Sequence, residues 1–295
     1  MAKSCSVKMI GFEEVMNSPG KVLGRGNFGT TYRAVLGTWN GFVVAAKMLR
    51  DDCVHENEFR ERVERMGKMI HENLLPLTAY SHGMNRWLLL FEYMPNGSVC
   101  DHLHGNEDAD INPLPLSWEV RSRIAYKVAR AIEYLHSQGP DFCHGNLKSS
   151  NIFLTRIYEA KVSEYGIGHL ISPVTKAYHI WGCSAPEMKN ARDISQKTDV
   201  YSFGVLLLEL LSGLAPLFAL MNKKGVDLPK WVRSIVTDKP SFVVFDQRLP
   251  KSKLVEDQMV QMLQLGIYCT FQSPNKRPSM KILAEKIKDI CQFTS

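Results

Sequence analysis

Two features of the chain could handle a phosphorylated ligand. One is Gly24-Arg25-Gly26-Asn27-Phe28-Gly29, where glycines permit a tight turn and let backbone N–H groups approach phosphate oxygens. The other is Lys47, a cation closing the apolar run Phe42-Val43-Val44-Ala45-Ala46. A G-x-G-x-x-G spacing also serves dinucleotides, but there a helix opens on the glycines. Here Thr30-Thr31-Tyr32-Arg33-Ala34-Val35-Leu36 follows. It is β-branched and aromatic and predicts a strand. Glycine turn, strand, a turn over 37–41 and a second strand over 42–49 ending near the lysine form one phosphate-handling unit.

The elements around this unit follow from periodicity. Phe59, Val63, Met66 and Ile70 predict a helix over 55–70. A third apolar strand covers 88–91, and Pro95 and Gly97 break it at a lobe boundary. The Asn-, Asp- and Pro-rich stretch 105–115 is a polar surface insertion. Val120, Ile124, Val128, Ile132 and Leu135 mark one face of a long helix over 117–136, stopped by Gly139-Pro140. The stretch 197–210 is almost wholly apolar after an acidic start and reads as a central buried helix. A last helix carries Met280, Leu283, Ile287 and Ile290 on one side. Residues 1–18 read as a ragged lead-in. The expected organisation is α+β, with the strands ahead of the long helices.

Composition narrows the function classes. With 295 residues, 45% hydrophobic and 22% charged, the chain can bury a large core. The apolar run 203–211 contains Glu209 and is too short to cross a bilayer; no secretory or targeting segment is expected at the start. Seven scattered cysteines without a C-x-x-C pair argue against a disulfide scaffold or a zinc site and for a reducing compartment. The net charge of +6 is spread along the chain. It reads as general surface charge, or more sharply as attraction to an anionic membrane leaflet. Without a basic stripe interleaved with aromatics, nucleic acid is not an expected partner.

A further constellation gives these elements a family. His144-Gly145-Asn146-Leu147-Lys148-Ser149-Ser150-Asn151 and Glu164-Tyr165-Gly166 resemble the H-R-D-L-x-x-x-N and D-F-G signatures of protein kinases. Val44-Ala45-Ala46-Lys47 resembles V-A-I-K, Glu92-Tyr93-Met94-Pro95-Asn96-Gly97-Ser98 a kinase hinge, and Ala185-Pro186-Glu187 the A-P-E motif. The resemblance covers about residues 20 to 291. It is most specific to the cytoplasmic kinase domain of plant leucine-rich-repeat receptor-like kinases, in a branch with many members described as probable inactive receptor kinases.

That resemblance implies a bilobal kinase fold, with a sheet-rich N-lobe over 19–94, a mainly helical C-lobe over 95–295 and the remnant of a juxtamembrane segment over 1–18. It implies a nucleotide site built from Gly24, Gly26, Gly29, Lys47, the backbone at Glu92 and Met94, Lys148 and Asn151, with Phe91 behind the adenine. Metal would fall to Asn151 and Glu164, and ATP with Mg²⁺ or Mn²⁺ would be the ligands. His144 would pack in the core, Asp199 would tie the loop backbone to the central helix, and Arg277 would pair with Glu187. It also implies a single-pass receptor at the cytoplasmic side of the plasma membrane, with another kinase or signalling protein as partner.

Departures from the pattern bear on catalysis. Asn146 stands where an aspartate accepts the substrate hydroxyl proton, and a neutral amide cannot take it; losing a positioned base costs on the order of 10²–10⁴ in rate. Glu164 keeps the charge of the metal-binding aspartate but adds a methylene, against an ion that demands near-ideal octahedral geometry. Gly145 replaces the arginine that would hold an activation-segment phosphate at Thr175 or Tyr178. Counting back from His71-Glu72-Asn73-Leu74 puts Arg62 where a glutamate should pair with Lys47, with Met66 one turn later on the packed face. Arg62 would then face Lys47 with like charge and could capture Glu164; alternatively Glu164 pairs with Lys47, or Arg62 points to solvent. Glu58 or Glu61 could substitute only if the helix rotated or slipped. Thr31 and Phe153 replace the usual valine roof and leucine floor of an adenine pocket. The expectation is an inactive or severely impaired kinase domain that docks partners, with nucleotide binding weak or absent and metal binding compromised. A slow serine/threonine kinase and an ATP-gated switch without chemistry are the alternatives.

Overall fold

The computed structural model describes residues 7–18, 20–105, 115–172, 182–189, 193–217 and 226–293. Thr175, Tyr178 and nearly all of the polar insertion lie outside the described residues.

The N-terminal lobe is a six-stranded sheet of order β1-β5-β6-β4-β3-β2. Its strands are β1 (Lys8–Met9), β2 (Lys21–Gly26), β3 (Gly29–Leu36), β4 (Phe42–Leu49), β5 (Leu77–Gly83) and β6 (Arg86–Glu92). The predicted strands 30–36 and 42–49 are β3 and β4, paired antiparallel with Thr31 opposite Lys47. β6 runs beside β4 and sets Leu89 against Lys47. β5 is not foreseeable from periodicity, because Thr78, Ser81 and His82 interrupt its apolar pattern.

The lead-in departs from the ragged segment expected of it. β1 pairs parallel with β5, Lys8 opposite Ala79 and Met9 opposite Tyr80. A short helix, α1 (Phe12–Met16), then buries Phe12 and Val15. Successive side chains of a strand alternate between faces, so the sheet has two apolar faces to cover. Phe12, Val15 and Ile10 pack with Ala34, Leu36, Val44, Ala46, Leu88 and Leu90 on one face. The other, carrying Leu49, Leu89 and Phe91, is continuous with the main core. Phe12 reaches the sheet because position 83 is glycine: a Cβ there would lie 2.5 Å from the Phe12 ring.

Helix α2 (Glu56–Gly67) buries Phe59, Val63 and Met66 as the periodicity predicts, but it ends one turn early. Ile70 is therefore 64% exposed instead of packed. At Gly67 the helix end meets the lead-in, where a Cβ would fall 1.7 Å from a methyl of Val7.

The C-terminal lobe is mainly helical: α3 (Val99–His104), α4 (Trp118–Ser137), α5 (Gln196–Ser212), α6 (Leu228–Asp238), α7 (Lys253–Cys269) and α8 (Met280–Cys291). Ser98 and Ser195 form capping boxes at α3 and α5, and Ser117 caps α4 by accepting from the Val120 N–H. From Thr198 to its end, α5 is buried all round, with Gly204 allowing α7 to approach: a Cβ there would lie 2.5 Å from that of Cys269. A hairpin of β7 (Ile152–Leu154) and β8 (Ala160–Val162) lies under the cleft. The architecture is the bilobal kinase fold.

Candidate functional site

A cleft of about 720 Å³ separates the lobes. It is lined by Gly24, Gly26 and Thr31 above, Phe91, Glu92 and Met94 at the hinge, and Asn146, Lys148, Asn151, Phe153 and Glu164 below. Lys47 projects into it and is 4% exposed. Gly29, grouped with the phosphate-facing glycines in the sequence, is not among the lining residues. Its φ of +146° and a Cβ position 1.9 Å from the Met48 carbonyl oxygen show a glycine demanded by β3–β4 packing.

At the floor, the polar groups satisfy one another. Lys47 Nζ lies 2.6 Å from Glu164 Oε1, and Asn146 Nδ2 donates to Glu164 Oε2 at 2.8 Å. Asn151 Nδ2 donates to the Asn146 carbonyl oxygen at 2.8 Å, and Ser163 Oγ to that of Asn151 at 3.0 Å. Glu164 itself adopts a left-handed backbone, φ +60°, a conformation uncommon outside glycine. The turn is pinned on both sides: Ser163 N–H donates to Asn151 O, and Gly166 N–H to His144 O.

Beneath the floor, His144 is fully buried and accepts at Nδ1 from the Asn146 N–H. Burial holds its pKa below the ordinary histidine value, which keeps the ring neutral. Asp199, at the start of α5, accepts from the N–H groups of His144 (2.7 Å) and Gly145 (2.9 Å) and from His136 Nε2 (2.9 Å). Burial pushes the Asp199 carboxyl up, but the hydrogen bonds it accepts and the histidines beside it together outweigh that and hold the pKa below the usual carboxylate range. Gly145 has φ +73°, and a Cβ would come within 3.0 Å of Ile194. Farther off, Arg277 grips Glu187 through two bonds of 2.6 and 2.8 Å. It also donates to the carbonyls of Lys197, Phe271 and Gln272.

Arg62 departs from the three placements considered for it. It neither faces Lys47 nor takes Glu164, it is not turned wholly to solvent, and it does not line the cleft. Half-buried on α2, it donates to the carbonyl oxygen of His169 and pairs with Glu58 one turn earlier. The register is sound, since Met66 meets Gly166, where a Cβ would stand 3.3 Å from Met66 Cγ. The Asn146–Glu164 bond and the His136 contact to Asp199 are not foreseeable from spacing, nor is the carboxylate of Glu209, which accepts from Ser149 Oγ at 2.7 Å and lies 2.8 Å from His104 Nε2. No local pattern links residues so far apart in the chain.

Residues 18–287 match the family described as protein tyrosine and serine/threonine kinase. The chain belongs to that family. Leucine-rich repeat receptor-like protein kinase PXC1 of Arabidopsis thaliana is 36% identical over 96% of this chain and 44% of its own length. Probable inactive receptor kinase At1g48480 of Arabidopsis thaliana is 45% identical over 98% of this chain and 44% of its own length. This kinase-family chain thus spans less than half of the curated relatives it matches. The maize sucrose-induced receptor kinase 1 kinase domain, solved bound to AMP-PNP, is 29% identical with a TM-score of 0.79, covering 95% of each chain. The pseudokinase domain of BIR2, an immune regulator of the RLK/Pelle family, is 28% identical with a TM-score of 0.76, covering 93% of this chain and 82% of that one. Among the described residues no helix is long and apolar enough to cross a membrane.

Proposed function

We propose that this domain is a pseudokinase, a receptor-like kinase domain that signals by docking an active kinase or a downstream cytosolic protein and transfers no phosphate itself. The observation that carries the reading is the closed network Lys47–Glu164–Asn146. In phosphoryl transfer the lysine holds nucleotide phosphates, the acidic residue of the D-F-G position holds metal and the loop aspartate accepts the acceptor proton. Here Lys47 and Asn146 each spend a donor on the same carboxylate.

The site fits a divalent ion poorly. Both oxygens of Glu164 already face nitrogen donors. Recruiting Glu164 to Mg²⁺ would take the counter-charge of the buried Lys47 ammonium, which only nucleotide phosphates could then replace. Asn146, as an amide, has no site for the acceptor proton. The scaffold around this floor is intact at Glu187–Arg277 and Asp199, which supports a binding role for the folded domain. Relatives described as receptor kinases support a place on the cytoplasmic side of a membrane, as part of a single-pass receptor.

A second reading, a nucleotide-gated switch without chemistry, draws on the size of the cleft, which is ample for a nucleotide. The purified domain incubated with labelled ATP and Mg²⁺ or Mn²⁺ is expected to incorporate no phosphate, on itself or a generic substrate. Incorporation abolished by Lys47→Ala would refute the pseudokinase reading. A thermal-shift titration with ATP, with and without metal, tests the switch: ligand at 100 times its dissociation constant would stabilise by about 2.7 kcal/mol.

A further inference from the structure

We propose that α2 is held in place by a clamp outside the nucleotide cleft, with Arg62 as its positioning residue, so that the helix does not respond to what the cleft contains. Lys47 draws its carboxylate from Glu164, beyond the hinge, and not from α2. The helix is instead tied to the backbone just after the Glu164-Tyr165-Gly166 turn. In the approach to α2, the Val54 N–H donates to Leu170 O at 2.9 Å, and the Ser172 N–H donates to Asp52 O at 2.7 Å. Cys53 and Ile171 form the antiparallel bridge between these bonds. Two turns into the helix, Arg62 adds its bond to the neighbouring carbonyl of His169. Four consecutive residues, 169–172, are thereby gripped from two sides.

The residue type at 62 suits this task. A planar guanidinium can donate to a carbonyl and a carboxylate at once, here His169 O and Glu58. A glutamate would present an acceptor to the His169 oxygen and break the contact. Apolar packing completes the clamp: Phe59 stacks on Trp87 with ring centroids 3.9 Å apart, and Met66 covers Gly166. The position of α2 is thus fixed by the fold alone. The inference goes beyond the pseudokinase reading and uses no activity readout, so phosphate transfer by the wild type would sink that reading and leave this one standing.

Hydrogen–deuterium exchange on the whole domain tests it. Arg62→Glu is expected to speed exchange at least tenfold in α2 and in 167–172, while α5, the control for global folding, keeps its protection. Val54→Pro, which removes the bond to Leu170 O without touching Arg62, is expected to produce the same local pattern. Lys47→Met, which lowers global stability, is expected to speed exchange in α2 no more than in α5. Exchange in α2 that rises beyond that of α5 in Lys47→Met, or stays at the wild-type rate in both Arg62→Glu and Val54→Pro, would overturn the proposal. If Arg62→Glu also unprotects α5, Val54→Pro alone decides.

Discussion

The ammonium of Lys47 sits 2.6 Å from a carboxylate oxygen of Glu164, a residue 117 positions later in the chain, with 5% and 15% of the two side chains exposed. A pair this sheltered is costly to break from one side, because removing one partner strands the other charge; the penalty is about 3–5 kcal/mol at full burial. Lys47→Met is therefore expected to lower unfolding stability by about 2–4 kcal/mol. Adding Glu164→Leu to it should recover part of that loss. Urea denaturation of both singles and the double gives the coupling; additive losses would show that the pair contributes nothing.

Asn146→Asp is the change usually made to restore a catalytic base. Here it would set a second carboxylate against Glu164 Oε2, in place of the amide that now donates at 2.8 Å. Two carboxylates at hydrogen-bond distance cannot both ionise readily, so one pKa rises. The variant is expected to be about 1–3 kcal/mol less stable near pH 7. The deficit should shrink toward pH 5 as the pair retains a shared proton. A deficit constant across that range would mean the new side chain had turned out of the floor.

Acid stability follows from three histidines. Burial holds the pKa values of His144, His71 and His169 below the ordinary 6.5. With the folded pKa lower, the unfolded chain binds more protons in the window between the two values. Stability is then fully present above about pH 6.5 and falls as the pH drops below it, by at most about 1.4 kcal/mol per pH unit for each group. Asp199, also depressed, adds a loss at lower pH, as its carboxylate is protonated. Thermal melts from pH 8 to 5 should be flat at first and then decline; a melt that rises on acidification to pH 5 would contradict this. His144→Gln should flatten part of the slope.

The lead-in is part of the folded lobe. Phe12 is 9% exposed over Gly83, and truncating a buried phenylalanine costs about 3–5 kcal/mol. Phe12→Ala is expected to fall near the low end of that range and lower the melting temperature by several degrees. An unchanged melt would mean that β1 and α1 rest on the sheet without supporting it.

Several of these features are local, and the sequence by itself determined them. β-branched, aromatic and apolar runs mark β3, β4 and β6, and the 3.6-residue period marks α2, α4 and α8, because side-chain direction follows helix geometry one residue at a time. Motif spacing named the family and brought Lys47, Asn146, Asn151 and Glu164 to one cleft. The tertiary structure alone decided which partner each long side chain takes. Lys47 had Glu164, Glu58 and Glu61 as candidate counter-charges, and Arg62 could have taken Glu164 or solvent; the fold gives Glu164 to Lys47 and His169 O with Glu58 to Arg62. It also decided the fate of residues 8–16, whose short apolar pattern has no preference until the edge of β5 offers unpaired backbone groups and Gly83 leaves room for Phe12. Periodicity reports what a segment prefers alone, whereas ion pairs and strand additions depend on distances set by the rest of the chain.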